Sequence, residues 1–276
     1  MYVGIDIGGT KTLVAVLNEN GVIHEKIKFP TNPNYSEFLL DLKKAINSLG
    51  MHDFKAGAVA VTGPRTDRKH GRIVNSSNLP WRNVPIQHDA ELLCGCPLVI
   101  ENDAKLAALS ESMLLKDKYK KVLYVTVSTG IGFGLVVNGV IDTSVGDAGG
   151  KPMLLEHKGK LVSWEDFASG HAIVERFGKQ AKDINDQQTW KIISRDLAKG
   201  FIHLIAIMQP DVIVIGGGVG NYFEKFEIYL KEDIENYKIP LVKLPKMIKA
   251  QRPDDAVIYG CYDIAKQHFN HEKYHN

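Results

Sequence analysis

The sequence predicts an α/β protein of about two domains, and three observations support this prediction. Short apolar stretches with the composition of buried strands alternate with longer stretches in which apolar residues recur at helical spacing. The chain has 276 residues, which is enough to bury a sizeable core without disulfide bonds. A composition of 44% hydrophobic and 24% charged residues excludes a disordered, collagenous or low-complexity protein.

In the first half of the chain, glycines divide a β-meander. Gly8-Gly9 separates two apolar segments, and Asn20-Gly21 supplies residues that adopt positive φ in a tight turn. A segment with helical spacing of apolar residues then runs to Gly50. These patterns predict strands at residues 3–7, 13–17, 22–27, 58–61 and 97–100, and helices at residues 35–49 and 104–116.

The second half of the chain begins with the same arrangement. Residues 122–127 and 133–137 predict a hairpin around another glycine loop, and Asn138-Gly139-Val140-Ile141 follows it. The same tetrapeptide, at residues 20–23, follows the first hairpin, so we interpret the repeat as an internal duplication. The remaining patterns predict helices at residues 164–177, 189–208, 222–237 and 255–269, and strands at residues 212–215 and 247–250.

Charge and cysteine content limit the class of partner and compartment. The net charge of +2 is too small for electrostatic binding to nucleic acid or an anionic membrane. Cys94, Cys96 and Cys261 cannot form a disulfide framework and suit a reducing compartment. No secretory signal opens the sequence, and its longest apolar runs have the length of strands. We therefore expect a soluble cytoplasmic protein with neither a nucleic-acid nor a membrane partner.

Three glycine clusters follow predicted strands, at Gly8-Gly9, at residues 128–132 and at residues 216–218. Glycine lets backbone N–H groups approach an anion closely. Further donors stand beside the clusters, namely Thr10, Lys11, Thr12, Ser128 and Thr129. One cluster is equally well explained as a hairpin turn, but three with these neighbours indicate phosphate binding. The sequence lacks a Walker-type P-loop, and a dinucleotide fingerprint fails at Asn221.

Four motifs together resemble those of the ROK family of sugar kinases and related repressors. They are Asp6-Ile7-Gly8-Gly9-Thr10-Lys11-Thr12, Glu101-Asn102-Asp103-Ala104, Ser128-Thr129-Gly130-Ile131-Gly132 and Gly216-Gly217-Gly218. Smaller matches at Gly63-Pro64, Asn78-Leu79-Pro80 and Trp164-Glu165 extend the resemblance over nearly the whole chain. It implies two actin-like, ribonuclease H-like domains with ATP in the cleft between them. We place these domains at residues 1–104 and 105–255, with a C-terminal helix at about 256–276 expected to pack back onto the first.

The resemblance also implies a role for each matching residue. Asp103 would be the base that accepts the proton of the sugar hydroxyl, although a carboxylate here can also cap the following helix. Asp6 would help to hold Mg²⁺ through water. The implied sugar contacts are Gly63, Asn78, Asn102, Asp103 and Glu165. The implied ATP contacts are Gly8, Gly9, Thr10, Lys11, Thr12, Thr129 and Gly130 at the phosphates, and Gly216, Gly217 and Gly218 at the adenosine.

The sequence departs from the family pattern in one segment. Many relatives carry a glutamate and a histidine for the sugar where this chain has Gly150 and Met153, and the cysteine-rich zinc loop that follows in them is missing. We therefore expect no structural zinc. Four nearby residues are candidates to replace the lost sugar contacts, with a solvated loop as the alternative reading: Asp147, Lys151, Glu156 and His157.

The predicted function is transfer of the ATP γ-phosphate to a hydroxyl of a hexose or N-acetylhexosamine, with Mg²⁺ as cofactor. A catalytically silent sugar- or nucleotide-binding protein is one alternative. A sugar-sensing regulator is another, but the first glycine motif begins at Asp6, which leaves no space for the DNA-binding segment of such regulators. The sequence identifies neither the sugar nor its hydroxyl, and it leaves another nucleotide or polyphosphate open as the phosphoryl donor. The resemblance leaves a homodimer open.

Overall fold

The computed structural model describes residues 1–63, 65–76, 78–236, 242–252 and 254–270. The chain forms two compact units: unit 1 comprises residues 1–110 and 254–276, and unit 2 comprises residues 111–253. The first division lies within a helix, between Ser110 and Glu111, whereas the sequence analysis drew it after residue 104. Residues 271–276 of the expected C-terminal helix lie outside the described residues.

The first part of the chain forms β1 (Tyr2–Ile7), β2 (Lys11–Leu17), β3 (Ile23–Pro30), α1 (Tyr35–Asn47), β4 (Ala56–Val61), β5 (Arg65–Asp67), β6 (Arg72–Asn75), β7 (Arg82–Val84), α2 (Ile86–Cys94), β8 (Leu98–Asn102) and α3 (Asp103–Leu115). The rest forms β9 (Lys121–Val127), β10 (Ile131–Val137), β11 (Val140–Ile141), β12 (Leu154–His157), β13 (Lys160–Ser163), α4 (Trp164–Ala168), α5 (Gly170–Phe177), a short 3-10 helix (Ala181–Asp183), α6 (Gln187–Met208), β14 (Val212–Gly216), α7 (Gly217–Gly220), α8 (Phe223–Asn236), β15 (Lys246–Lys249) and α9 (Ala256–Asn270).

The main sheet of unit 1 has the strand order β3-β2-β1-β4-β8. The meander β1-β2-β3 is antiparallel, whereas β1, β4 and β8 run parallel. Their register places Ile7 beside Val61, and Val61 beside Asn102. The residues that follow these three strands therefore emerge at the same edge of the sheet, where ligand-binding residues gather in α/β folds.

Two apolar clusters cover the sheet of unit 1. The first includes Phe38 and Leu42 of α1 together with Trp81, and the second includes Ile258 and Tyr262 of α9. Gly260 lets α9 approach α3, since a Cβ there would overlap the carbonyl of Leu106. A second, smaller sheet of order β5-β6-β7 completes the unit.

The main sheet of unit 2 has the order β11-β10-β9-β14-β15. The β9-β10 hairpin is antiparallel, and β9, β14 and β15 run parallel, so the arrangement repeats that of β2-β1-β4. The core of this unit includes Trp164, Trp190, Phe201 and Phe226. Gly200 of α6 lies against the Trp164 ring, because a Cβ at that position would overlap the indole. No helix among the described residues is long and apolar enough to cross a membrane.

Three local predictions were wrong in detail. The helix expected at residues 164–177 is divided at Ser169, whose hydroxyl caps α5 by accepting from the Ala172 N–H. The first meander turn has positive φ only at Gly21, whereas both Asn138 and Gly139 have it in the second turn. Gly217 begins a short helix instead of continuing a loop.

Candidate active site

Asp103 is the first residue of α3 and stands at the edge where β1, β4 and β8 end. Its Oδ2 accepts a hydrogen bond from the Thr62 hydroxyl at 2.9 Å, and its Oδ1 accepts from the backbone N–H of Ala104 at 2.8 Å. These bonds, together with the positive end of the helix dipole, stabilise the ionised carboxylate and fix its orientation. Asp103 can therefore act as an oriented proton acceptor.

The capping role that the sequence left open belongs to Asn102. Its Oδ1 accepts from the backbone N–H of Lys105 at 3.2 Å, and the residue is buried. This bond engages the amide oxygen, so the NH₂ group of Asn102 is the part of the side chain suited to a sugar hydroxyl.

Asp6 lies near the end of β1, and the pKa of its carboxyl is strongly raised. Burial raises the pKa of this carboxyl to about 7, the negative charge of Asp103 adds to the rise, and Lys28 opposes it. The effect of Asp103 shows that the two carboxylates are close enough to repel each other. A divalent cation would relieve that repulsion, and carboxylates are groups that Mg²⁺ prefers. The pair therefore fits the predicted magnesium role.

The glycine loop between β1 and β2 is held by hydroxyls on its inner side. The Thr31 hydroxyl donates to the carbonyl of Gly8 at 2.8 Å and pairs with the Thr12 hydroxyl at 2.9 Å. Thr12 is fully buried, so its hydroxyl supports the loop and does not face a phosphate as predicted. Thr10 and Lys11 are exposed and remain candidate donors to an anion.

Asn78 lies directly against this glycine loop. A Cβ at Gly9 would overlap Cβ of Asn78, so the two can pack this closely only because Gly9 has no side chain. Gly63 is equally confined, since a Cβ there would lie 2.8 Å from the carbonyl oxygen of Asn75. Unit 1 thus brings together the loop, Asn78, Gly63 and Asp103. Pro64, which follows Gly63 in the matched motif, lies outside the described residues.

In unit 2, Glu165 supports the second glycine loop. Its Oε2 accepts from the backbone N–H of Ile131 at 2.9 Å, and a Cβ at Gly130 would lie 2.5 Å from the same oxygen. The other oxygen is 3.9 Å from Nζ of Lys151. The side chain of Glu165 is 25% exposed, so it can contact a sugar, as predicted, while it also supports the loop.

The three glycines after β14 differ in their surroundings. A Cβ at Gly216 would overlap the Tyr124 ring, and one at Gly217 would lie 2.5 Å from Oγ1 of Thr126. Packing alone therefore requires glycine at these two positions. A Cβ at Gly218 would meet nothing within 4 Å, which makes Gly218 the member of the cluster with space for a ligand.

Gly150 and Met153 stand where the family has its glutamate and histidine, and both lie in the irregular segment before the β12-β13 hairpin. Glu156 and His157 lie in strand β12 of that hairpin and not in the loop considered above. The His157 ring stacks on Phe167 with centroids 4.3 Å apart, and its Nδ1 lies 3.7 Å from Oδ1 of Asp196. Burial lowers the pKa of His157. Glu156 accepts from the backbone N–H of Gly159 through its side chain.

The other residues near this hairpin have their own contacts within unit 2. Lys151 forms an ion pair with Asp166 at 2.6 Å, and Asp147 is half-buried. Gly150 donates its backbone N–H to the carbonyl of Ile131, and a Cβ at Gly150 would press on Trp164 at 3.1 Å. None of these contacts identifies a substitute for the family's sugar ligands.

Two residues that contact the candidate site or its neighbours, Thr62 and Arg68, were not predicted from the sequence. Thr62 follows β4 directly, and the rule that ligand residues collect at strand ends could have identified it. Arg68 forms an ion pair with the buried carboxylate of Glu101. The partners are 33 residues apart, and no local pattern in the sequence indicates their pairing.

The described residues contain no cluster of three or more histidine, cysteine, aspartate or glutamate side chains arranged to hold a metal ion. Cys94 and Cys96 are buried free thiols, and burial raises the pKa of each to about 12. They are accordingly protonated in the metal-free protein.

Comparison with known proteins relates the whole chain to one family. The sequence model of the ROK family matches residues 2–268. The chain is 26% identical to a glucokinase of Streptomyces coelicolor, covering 97% of this chain and 98% of that one. It is 29% identical to an N-acetylmannosamine kinase of Escherichia coli, with coverages of 86% and 91%.

The fold also matches a solved structure. The crystal structure of a ROK family glucokinase from Streptomyces griseus, in complex with glucose and AMPPNP, superposes with a TM-score of 0.80 at 22% identity. The match covers 96% of this chain and 99% of that chain. The predicted α/β fold with actin-like domains is thereby confirmed.

Proposed function

The chain belongs to the ROK family, and on that premise we propose that it is an ATP-dependent sugar kinase that phosphorylates a hydroxyl of a hexose or N-acetylhexosamine. The observation that carries the proposal is the carboxylate of Asp103, fixed by Thr62 and by the first turn of α3 at the edge where three parallel strands end. The named relatives are kinases for glucose and for N-acetylmannosamine, which supports the substrate class.

Asp103 supplies the proton acceptor for this reaction. As the sugar oxygen bonds to the γ-phosphorus, the bond from that phosphorus to the bridging oxygen breaks and ADP leaves. The proton of the sugar hydroxyl passes to the carboxylate, and the fixed orientation of Asp103 keeps the attacking oxygen in line. The Thr62 hydroxyl holds one carboxylate oxygen and so limits rotation of the base. Asn102, through its NH₂ group, is our proposed partner for a neighbouring sugar hydroxyl.

The triphosphate contacts that we propose in unit 1 are the backbone N–H of Gly9 and the exposed Thr10 and Lys11. The N–H of Gly8 donates to the carbonyl of Lys11 at 3.1 Å, so Gly8 shapes the loop instead. Thr12 is excluded from this set because its hydroxyl is buried against Thr31. For unit 2, the proposed nucleotide contacts are Thr129, Gly130 and Gly218.

Magnesium is part of the proposal. Asp6 would hold the ion, through water in the manner the family implies, and the bound ion would neutralise charge on the phosphates during transfer. Asp6 stays ionised once the cation is present, because a positive charge beside a carboxylate lowers its pKa.

A coupled ADP-release assay tests the function. Purified protein with ATP and Mg²⁺ is given a panel of hexoses and N-acetylhexosamines, and we expect ADP release that depends on at least one of these sugars. A protein that binds sugar without any sugar-dependent ADP release would instead be the catalytically silent relative that the sequence left open.

Replacement of Gly9 by alanine should weaken ATP binding. The added Cβ would overlap Cβ of Asn78, so either the loop or the Asn78 segment must move. We expect KM for ATP to rise about tenfold, since a shifted backbone loses aligned N–H donors worth about 1.4 kcal/mol in total. The double variant Gly9→Ala, Asn78→Gly should recover much of the loss.

Gly146→Ala is the matched control for this substitution, because a Cβ there would meet nothing within 4 Å. It should leave KM for ATP unchanged. An unaltered KM for ATP in Gly9→Ala would contradict the assignment of this loop to the triphosphate.

A further inference from the structure

Arg68 and Glu101 form an ion pair at the carboxyl end of β8. Nε of Arg68 donates to Oε2 of Glu101 at 2.7 Å, and Nη2 of Arg68 donates to Oε1. The Glu101 side chain is 3% exposed, whereas Arg68 reaches it from the turn that joins β5 to β6 and is 28% exposed. A guanidinium that engages both oxygens fixes the orientation of a carboxylate as well as its position.

Glu101 in turn contacts the backbone that carries the proposed base. Its Oε1 accepts from the backbone N–H of Asn102 at 2.6 Å. Asn102 caps α3 through the N–H of Lys105, and Asp103 follows at the start of the helix. A continuous set of bonds therefore connects Arg68 to the turn on which Asp103 stands.

The pair also affects the charge of the site. Asp6 and Glu101 occupy the same row of the sheet, on either side of Ala60. Neighbouring strands are about 4.8 Å apart, so this row separates the two residues by about 10 Å. Glu101 would add a third negative charge near Asp6 and Asp103, and Arg68 compensates it where a triphosphate has to bind.

We propose that Arg68 is a positioning residue for phosphoryl transfer, which acts through Glu101 to fix the end of β8 and the orientation of Asp103. The inference rests on the proposed kinase function. Its geometric part, that Arg68 orders the start of α3, is a property of the free protein and is measurable without turnover.

The kinetic test compares Arg68→Met and Arg68→Lys with Lys69→Met, an exposed neighbour in the same turn. We expect kcat of Arg68→Met to fall about 10²-fold with KM for ATP and sugar within about threefold, as for a misplaced catalytic group. Arg68→Lys should recover about tenfold of that loss, because it restores the charge without the two-point contact. Lys69→Met should match the wild type.

Activities are normalised to the folded fraction measured by thermal unfolding, so that loss of stability is not counted as loss of turnover. Glu101→Gln serves as a second variant if Arg68→Met does not fold. It should also lower kcat, because the NH₂ group that replaces Oε2 cannot accept the bond from Nε of Arg68. A wild-type kcat in these variants, or a raised KM with kcat unchanged, would overturn the proposal.

Hydrogen exchange separates this inference from the kinase function. We expect amides of residues 102–105 to exchange about tenfold faster in Arg68→Met than in Lys69→Met, since the bonds that order this turn are weakened. Equal exchange in the two variants would overturn the positioning role, whatever the activity. A wild-type protein without turnover on any sugar would count against the proposed function alone.

Discussion

Replacement of Asp103 by asparagine should lower kcat about 10³-fold, within the range that removal of a general base causes. Asparagine has nearly the same shape: its amide oxygen can accept from the Ala104 N–H, and its NH₂ group can donate to the Thr62 hydroxyl. It cannot take the proton of a sugar hydroxyl. We expect the affinity for ATP to remain within a few-fold of the wild type. Sugar-dependent ADP release and calorimetric titration with a nonhydrolysable ATP analogue measure the two quantities.

Two further variants sharpen this test. Thr62→Val removes the hydrogen bond to Oδ2 of Asp103 while keeping the proton acceptor, so kcat should fall only about tenfold. Asp53→Asn removes an exposed carboxylate elsewhere in unit 1 and should have no effect. Near-normal turnover in Asp103→Asn would show that another group accepts the proton.

Replacement of Asp6 by asparagine should stabilise the free protein while impairing turnover. Burial and the charge of Asp103 raise the pKa of Asp6 from 3.8 to about 7, so the folded protein holds this proton after the unfolded chain has released it. Between these two pH values unfolding releases a proton, and wild-type stability falls as the pH rises. The rise in pKa corresponds to about 4 kcal/mol of unfolding free energy at most. Because Asp6 is only half-buried, we expect the free energy of unfolding to increase by about 2 kcal/mol in Asp6→Asn.

Urea unfolding at pH 4 and at pH 8, without nucleotide or Mg²⁺, measures this difference. At pH 4 the wild type and Asp6→Asn should have similar free energies of unfolding. At pH 8 the free energy of unfolding of the wild type should be lower than that of the variant. Equal unfolding free energies of the two proteins at pH 8 would contradict the raised pKa of Asp6. In turnover assays the variant should require more Mg²⁺, since it lacks the carboxylate that we assign to the ion.

The fold was predictable because strong local signals mark its elements. Buried β-rich runs, glycine loops and the repeated tetrapeptide at residues 20–23 and 138–141 predicted both hairpins and their duplication. Parallel strands that end at one edge bring together residues far apart in the sequence, as Gly8, Thr62 and Asp103 show. The sequence therefore indicated Gly8 and Asp103 as residues of this edge, and their roles are those that we propose above.

The features that the sequence did not predict depend on packing between residues that are far apart in the sequence. Thr12 has the residue type of a phosphate donor, yet its side chain is buried against Thr31, a partner that only the meander brings near. Arg68 and the buried Glu101 form an ion pair across 33 residues, and no local pattern in the sequence indicates their pairing. Gly216 and Gly217 are required by Tyr124 and Thr126 of the neighbouring strand, a contact that the glycine run itself does not encode.

Phosphorus NMR of a reaction that contains ATP, Mg²⁺ and the sugar found active in the panel tests the central claim most directly. The account predicts that ADP and one sugar phosphate appear in equal amounts, and that neither appears with Asp103→Asn on the same time scale. Release of ADP with inorganic phosphate and no sugar phosphate would contradict it, because water and not a sugar hydroxyl would then be the acceptor.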